Sequence, residues 1–248
     1  MSAVNELGDF LTTSQNWWGS RGIAVRVWDH LRLSFFATFV AALVALPTGI
    51  LLGHIKRGGV AAVWVVNIGR AVPSFAIIVL IFPISLRYGF GLGFWPTCFA
   101  LILLAIPPMF TNAFTGVRDV DQGVTEAARG MGMKGLSVVW SVELPAALPL
   151  ILTGVRVSAV QVVATATLGA YVGFGGLGAF IVEGFATQDD GKLLAGAVLV
   201  GGLSLLVELV FGIIQKLLTP WTVHEKRERR DPRAFDLVDS AALVPPHH

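Results

Sequence analysis

Long apolar runs alternate with short polar breaks along the chain. Five runs, at 33–53, 60–84, 95–117, 148–172 and 193–218, are long enough to cross a bilayer core as helices, which takes about 20 mainly apolar residues. Prolines inside or beside them (Pro47, Pro73, Pro83, Pro107, Pro108, Pro149) are tolerated in membrane helices where neighbours satisfy the freed backbone groups. The abundant glycines allow close helix approach in lipid. The pattern predicts an all-α integral membrane protein with a bundle of five transmembrane helices over 29–220. Residues 1–28 read as a surface segment with Trp17 and Trp18 at headgroup level, and 221–248 as a charged, solvated tail.

The polar breaks orient this bundle. Lys56 and Arg57 lie in the first connection, Arg118, Arg129 and Lys134 in the third, and "HEKRERRDPR" follows the last run. The second and fourth connections hold only Arg87 and Lys192. Basic residues mark the cytoplasmic side, so the N-terminus is expected outside and the C-terminus in the cytoplasm. Arg21 and Arg26 soften the contrast without reversing it.

Composition narrows the function. At 54% hydrophobic, 14% charged and a mean hydropathy of +0.73, the chain falls well below the roughly 25% charge of soluble domains. A net charge of +2 without a basic stripe speaks against nucleic-acid binding. Cys98, alone in an apolar run, reads as a small buried hydrophobe. His30 and His54, near opposite ends of the first run, cannot share a metal. No Gly-x-Ser-x-Gly elbow or His-Glu-x-x-His site appears, which leaves an intramembrane enzyme as a remote alternative.

The third connection is the most informative. "EAARGMGMKGLSVVWSVELP" (126–145) predicts a helix–glycine–helix hairpin within 121–145, with Asp121 or Thr125 as N-cap and Gly130 and Gly132 breaking the first helix. Read as residues alone, it fits an ordinary amphipathic connector as well as a docking knob. Its motif resembles the coupling motif of ATP-binding-cassette importer permeases: Glu126, Ala127 and Ala128, then Gly132, then Val142, Leu144 and Pro145 at the family's spacing. Val142 stands where isoleucine is commoner. The resemblance implies a knob docked in a separate ATPase subunit, passing ATP-driven motion to the membrane helices as a rigid lever. No Gly-x-x-x-x-Gly-Lys-Ser/Thr loop occurs in the chain, so no cofactor is expected here, and ATP with its magnesium is assigned to that partner.

Further segments ("HLRLSF", "VNIGRAVPSFA", "PPMFTNAFTGVRDVD", "LPLILTGVRVS", "ATLGAYVGFGGLGAFIVEG") resemble permeases of osmoprotectant importers, which carry glycine betaine, choline or carnitine. A methionine-type or other amino-acid permease is the nearest alternative. The resemblance implies alternating access in the bacterial cytoplasmic membrane. It also implies a second permease chain, identical or paralogous, and an extracytoplasmic solute-binding protein that recognises the solute.

Three intramembrane features remain. "GFGGLG" (Gly173, Gly175, Gly176, Gly178) closes a membrane run instead of following a strand, so it reads as an outer hinge and not as a dinucleotide site. Arg70 and Glu208 lie at equal depth, about 15 Å in, and are expected to form an ion pair or line the pathway, since a lone intramembrane charge is costly. Arg70 departs from the glutamine usual in the osmoprotectant permeases. Arg156 is expected to snorkel towards the cytoplasm, while Gln161 and Thr165, one turn apart, are pathway candidates.

Overall fold

A computed structural model describes residues 3–56, 63–64 and 72–220, and these are all helix and connecting turns. The helices are α1 (Ala3–Thr12), α2 (Ile23–Ile55), α3 (Ser74–Arg87), α4 (Phe94–Arg118), α5 (Gln122–Gly130), α6 (Gly135–Val138), α7 (Leu144–Thr165), α8 (Gly178–Thr187) and α9 (Asp190–Leu218). Among the described residues four helical stretches are long and apolar enough to cross a membrane: α2, α4, the continuous stretch Gly135–Val172, and α9. The run at 60–84 is described mainly through α3, whose 14 residues are shorter than a full span; the rest of it lies outside the described residues.

The core sits where α2, α4 and α7 meet, around Leu33, Ala41, Leu101, Met109, Phe110 and Val162. The face α2 turns inward is built from small residues at four-residue spacing: Ala37, Ala41, Ala45, Gly49 and Gly53. That spacing returns to one side of a helix, and small side chains bring backbones together. A methyl group on Gly49 would lie 2.9 Å from Ala113 Cβ and Phe110 O, and one on Gly53 2.9 Å from Phe114 O and Val117 Cβ. α2 and α4 are therefore in backbone contact. On the other side of α4, Gly154 of α7 packs against Asn112 and Pro108 O, and buried Ser158 donates a 2.8 Å hydrogen bond to Ala105 O.

Two boundaries differ from expectation. α2 begins at Ile23, ten residues before the apolar run, so residues 23–28 belong to the first long helix and not to a surface segment. Composition hid this because Arg26 and His30 are buried. The connection at 173–192 is not a plain loop either: α8 occupies it and folds back on α9, with Gly184 against Leu193 and Gly196 against Ile181. α1 closes over this hairpin, placing the Glu6 carbonyl against Gly191.

α6 runs into α7 without a break through a π turn at Val139–Glu143. Pro145 explains it. Proline lacks an N–H and its ring clashes with the carbonyl four residues back, and a wider turn just before it relieves both.

Candidate functional site: a hairpin at one end and a glycine turn at the other

The hairpin 121–143 projects from the end of the bundle where α2 and α4 finish. Asp121, not Thr125, caps α5: its side chain accepts from Val124 N at 3.1 Å, while the Thr125 hydroxyl donates to Gln122 O. Thr125 and Ala128 are buried; Glu126 and Ala127 are exposed, and Glu126 accepts a 2.7 Å hydrogen bond from Gln122 Nε2.

The stop of α5 is set by Gly132. Its N–H reaches Arg129 O at 2.9 Å, and the next N–H, Met133, reaches Ala128 O at 3.2 Å. These two bonds define a Schellman turn, whose residue after the C-cap is left-handed and favours glycine. Gly132 has φ +87°. Gly130, by contrast, is the last residue of α5, so only one of the two glycines expected to break the helix does so.

The outward side of the hairpin carries Val124, Met131, Leu136 and Trp140 exposed. Val142 and Leu144 are half-buried and Pro145 is exposed; Leu144 packs with Ala113, Val117, Ala147 and Ile151. Between α2 and α6–α7 lies an apolar groove of about 400 Å³, lined by Leu46, Ile50, Leu136, Trp140 and Leu144 with His54. At its edge His54 Nδ1 lies 2.7 Å from the Glu143 carboxylate.

Of the two intramembrane charges, Glu208 has a partner among the described residues. Glu208 of α9 accepts from Arg156 Nη2 of α7, so Arg156 does not snorkel away, and Arg70 lies outside the described residues. Arg156 also contacts Gln215 Oε1 at 3.4 Å, and Gln215 Nε2 donates to Thr153 Oγ1 at 2.9 Å and Pro149 O at 3.0 Å. A polar ladder of Glu208, Arg156, Gln215 and Thr153, ending on the Pro149 carbonyl, thus joins α7 to α9. Gln161 and Thr165 are half-buried on α7; in the 3₁₀ segment that continues it (Ala166–Val172), positions three apart eclipse, which carries the Thr165 line on to Leu168 and Tyr171.

At the other end the glycine-rich turn follows that 3₁₀ segment. Gly173, Gly175 and Gly176 have φ of +85°, +78° and +57°, all in the region that favours glycine. Gly178 opens α8, where a side chain would overlap Thr167 O. Buried His30, which the sequence reading left without a role, fastens this turn. Leu177 N–H donates to its Nδ1 at 3.4 Å, so Nε2 carries the proton and donates to Val163 O at 2.8 Å. Its buried position on the small-residue face of α2 is the signal that could have found it.

Beside the turn, Glu183 of α8 accepts from Arg26 Nη2 and Lys192 Nζ, each at 2.8 Å, and the Arg26 guanidinium lies over the Phe180 ring, 4.4 Å from its centroid. Partial burial pushes the Glu183 carboxyl up, but hydrogen bonds from Lys192 and Arg26 and their charges outweigh it and hold it below its ordinary range.

The chain belongs to the family described as binding-protein-dependent transport system inner membrane component, matched over residues 45–224. It is a multi-pass protein of the cytoplasmic membrane and a permease subunit, not an enzyme. Among its relatives, the carnitine transport permease protein OpuCB of Listeria monocytogenes is 39% identical over 206 residues, covering 83% of this chain and 92% of that protein. The choline transport system permease protein OpuBB of Bacillus subtilis (strain 168) is 32% identical over 203 residues, covering 82% and 91%. Among solved structures, the inward-facing MetNI methionine ABC transporter superposes with a TM-score of 0.69 at 25% identity, covering 79% of this chain and 96% of that one.

Proposed function

We propose that this chain is the permease subunit of an ATP-driven osmoprotectant importer carrying a quaternary amine such as carnitine, choline or glycine betaine. The observation that carries the substrate class is its similarity, over most of both chains, to carnitine and choline transport permeases. The methionine transporter among its structural neighbours keeps an amino-acid permease as the second reading. Uptake of labelled glycine betaine, carnitine and choline into vesicles holding the assembled transporter, with excess methionine as competitor, separates the two. Saturable uptake of a quaternary amine that methionine does not compete away is expected; uptake of methionine alone overturns the first reading.

In this reading five spans cross the membrane, α3 being part of the second. Lys56, Arg118, Arg129 and Lys134 mark the cytoplasmic end. The hairpin docks on a partner ATPase that holds ATP and magnesium. Exposed Glu126 and Ala127, with Gly132, shape the knob; Val142, Leu144 and Pro145 set it on α7. A second permease chain completes the pathway, to which Gln161 and Thr165 contribute, and a solute-binding protein delivers solute at the glycine hinge. Arg70 and Glu208 act as charged groups of the membrane interior, Glu208 balanced by Arg156. Ala127→Arg tests the dock: the site is exposed, so folding is retained and the ATPase subunit should be lost on purification. Full retention of the ATPase sinks this assignment.

A further inference from the structure

The coupling-type motif fixes Val142, Leu144 and Pro145 and leaves the position between them open. This chain fills it with Glu143, whose side chain is 1% exposed. A buried carboxylate is costly unless paired and hydrogen-bonded, so its partner is a structural commitment. That partner is His54, on a different membrane helix. Among the described residues, the 2.7 Å contact between His54 Nδ1 and Glu143 Oε2 is the only hydrogen bond or ion pair joining hairpin 121–143 to any helix except α7, into which it runs.

Both ends of this link are stiff. His54 is the next-to-last residue of α2 and follows Gly53, which is wedged against the backbone of α4. On its other side the ring faces the start of α6, where a methyl on Gly135 would lie 3.6 Å from Nε2. Glu143 closes the π turn directly before α7, whose first turn holds Pro145. A displacement of the hairpin therefore reaches the bundle by three routes: along the chain into α4 at one end and α7 at the other, and across the His54–Glu143 contact into α2.

We propose that His54 and Glu143 are positioning residues of energy coupling: a clasp that makes α2 follow the hairpin as one body with α4 and α7. This rests on the reading of the hairpin as the ATPase dock. Without the clasp the hairpin still docks and the ATPase still turns over, but α2 lags, so hydrolysis is no longer matched to solute movement.

The test uses the complete transporter in liposomes, with permease, ATPase and binding protein, and reads solute carried per ATP hydrolysed together with the ATPase-to-permease ratio. His54→Ala and Glu143→Ala are expected to keep the ATPase bound while solute per ATP falls by about five-fold or more, the lower end of a typical coupling energy. Glu143→Gln, which can still bond His54, is expected to recover most of the ratio. A wild-type ratio in both alanine variants, or equal loss in the alanine and glutamine variants, overturns the clasp. If the alanine variants fail to assemble, His54→Leu combined with Glu143→Leu, suited to the apolar groove beside them, is measured instead: a fall supports the clasp and an unchanged ratio overturns it. Failure of the docking reading is distinguishable, because Ala127→Arg would then keep its ATPase with transport intact, whatever the clasp variants do.

Discussion

Arg156 of α7 donates to the Glu208 carboxylate of α9 inside the membrane-embedded part of the bundle, with side chains about a third exposed on each partner (32% and 38%). A pair so placed faces water or another protein surface, because charge facing lipid is costly. Removing one partner leaves the other unbalanced; removing both leaves only the hydrogen bonds of Gln215 to repack. Thermal unfolding in detergent is therefore expected to rank wild type first, Arg156→Met with Glu208→Leu second, and either single substitution last. Additive losses from the two singles would mean that the residues are not energetically coupled.

The packing of α2 on α4 makes a second expectation. At Gly49 even a methyl group would sit 2.9 Å from backbone and side-chain atoms of α4, so Gly49→Val must force the helices apart. Overpacking of this kind costs about 1–3 kcal/mol, and for a chain of this size each kcal/mol lowers Tm by about 2–4 °C. Gly202, on α9, has nothing within 4 Å of the same position, and Gly202→Val is expected to leave Tm nearly unchanged. A scan of both variants in one detergent decides it; equal behaviour at the two sites would mean that the close approach is not a stabilising contact.

What could be read from the chain and what could not follow from the range of the interactions. The apolar runs record burial in lipid, a local property, so four long stretches fall close to where they are expected. The hairpin was legible because its stop and start are local chemistry: an Asp121 cap, a left-handed Gly132 and a proline in the first turn of α7. Partnerships across helices were not legible. Equal depth points Glu208 to Arg70, which lies outside the described residues, and could not point to Arg156, its partner on α7. His54 was weighed only as a metal ligand and is instead the partner of Glu143, 89 residues away. α2 starts ten residues before the apolar run because Arg26 and His30 find buried partners in Glu183, Val163 and Leu177.

The Glu183 cluster gives a pH dependence. Its carboxyl is held below its ordinary value of 4.5 by Lys192 and Arg26. A depressed folded-state pKa adds stability that is fully present above the unfolded value and is lost as pH falls through the folded one. Lowering pH from 6 should therefore leave this contribution intact until about pH 4.5, then erode it. Glu183→Gln removes the titrating group, so its Tm should sit below wild type at neutral pH and converge with wild type in acid. Parallel Tm curves, with no convergence, would show that Glu183 does not secure the α2–α8–α9 corner.

The two glycines of the hairpin should respond oppositely to the same substitution. Gly130 is helical and has open space where a side chain would go. Alanine there restricts the unfolded chain and favours helix, a gain of about 0.4–1 kcal/mol. Gly132 also has open space, but its φ of +87° puts a Cβ in a left-handed backbone, at a cost of roughly 1–2 kcal/mol. Sterics alone would treat the sites alike; backbone conformation separates them. Hydrogen exchange of the segment 122–134 reads the difference, since the Met133 N–H is protected only while the turn is closed. Gly132→Ala is expected to speed that exchange about five-fold or more, the ratio that about 1 kcal/mol sets, and to weaken ATPase retention. Gly130→Ala should slow exchange and leave retention intact. If both variants exchange alike, Gly132 does not owe its place in the motif to the turn.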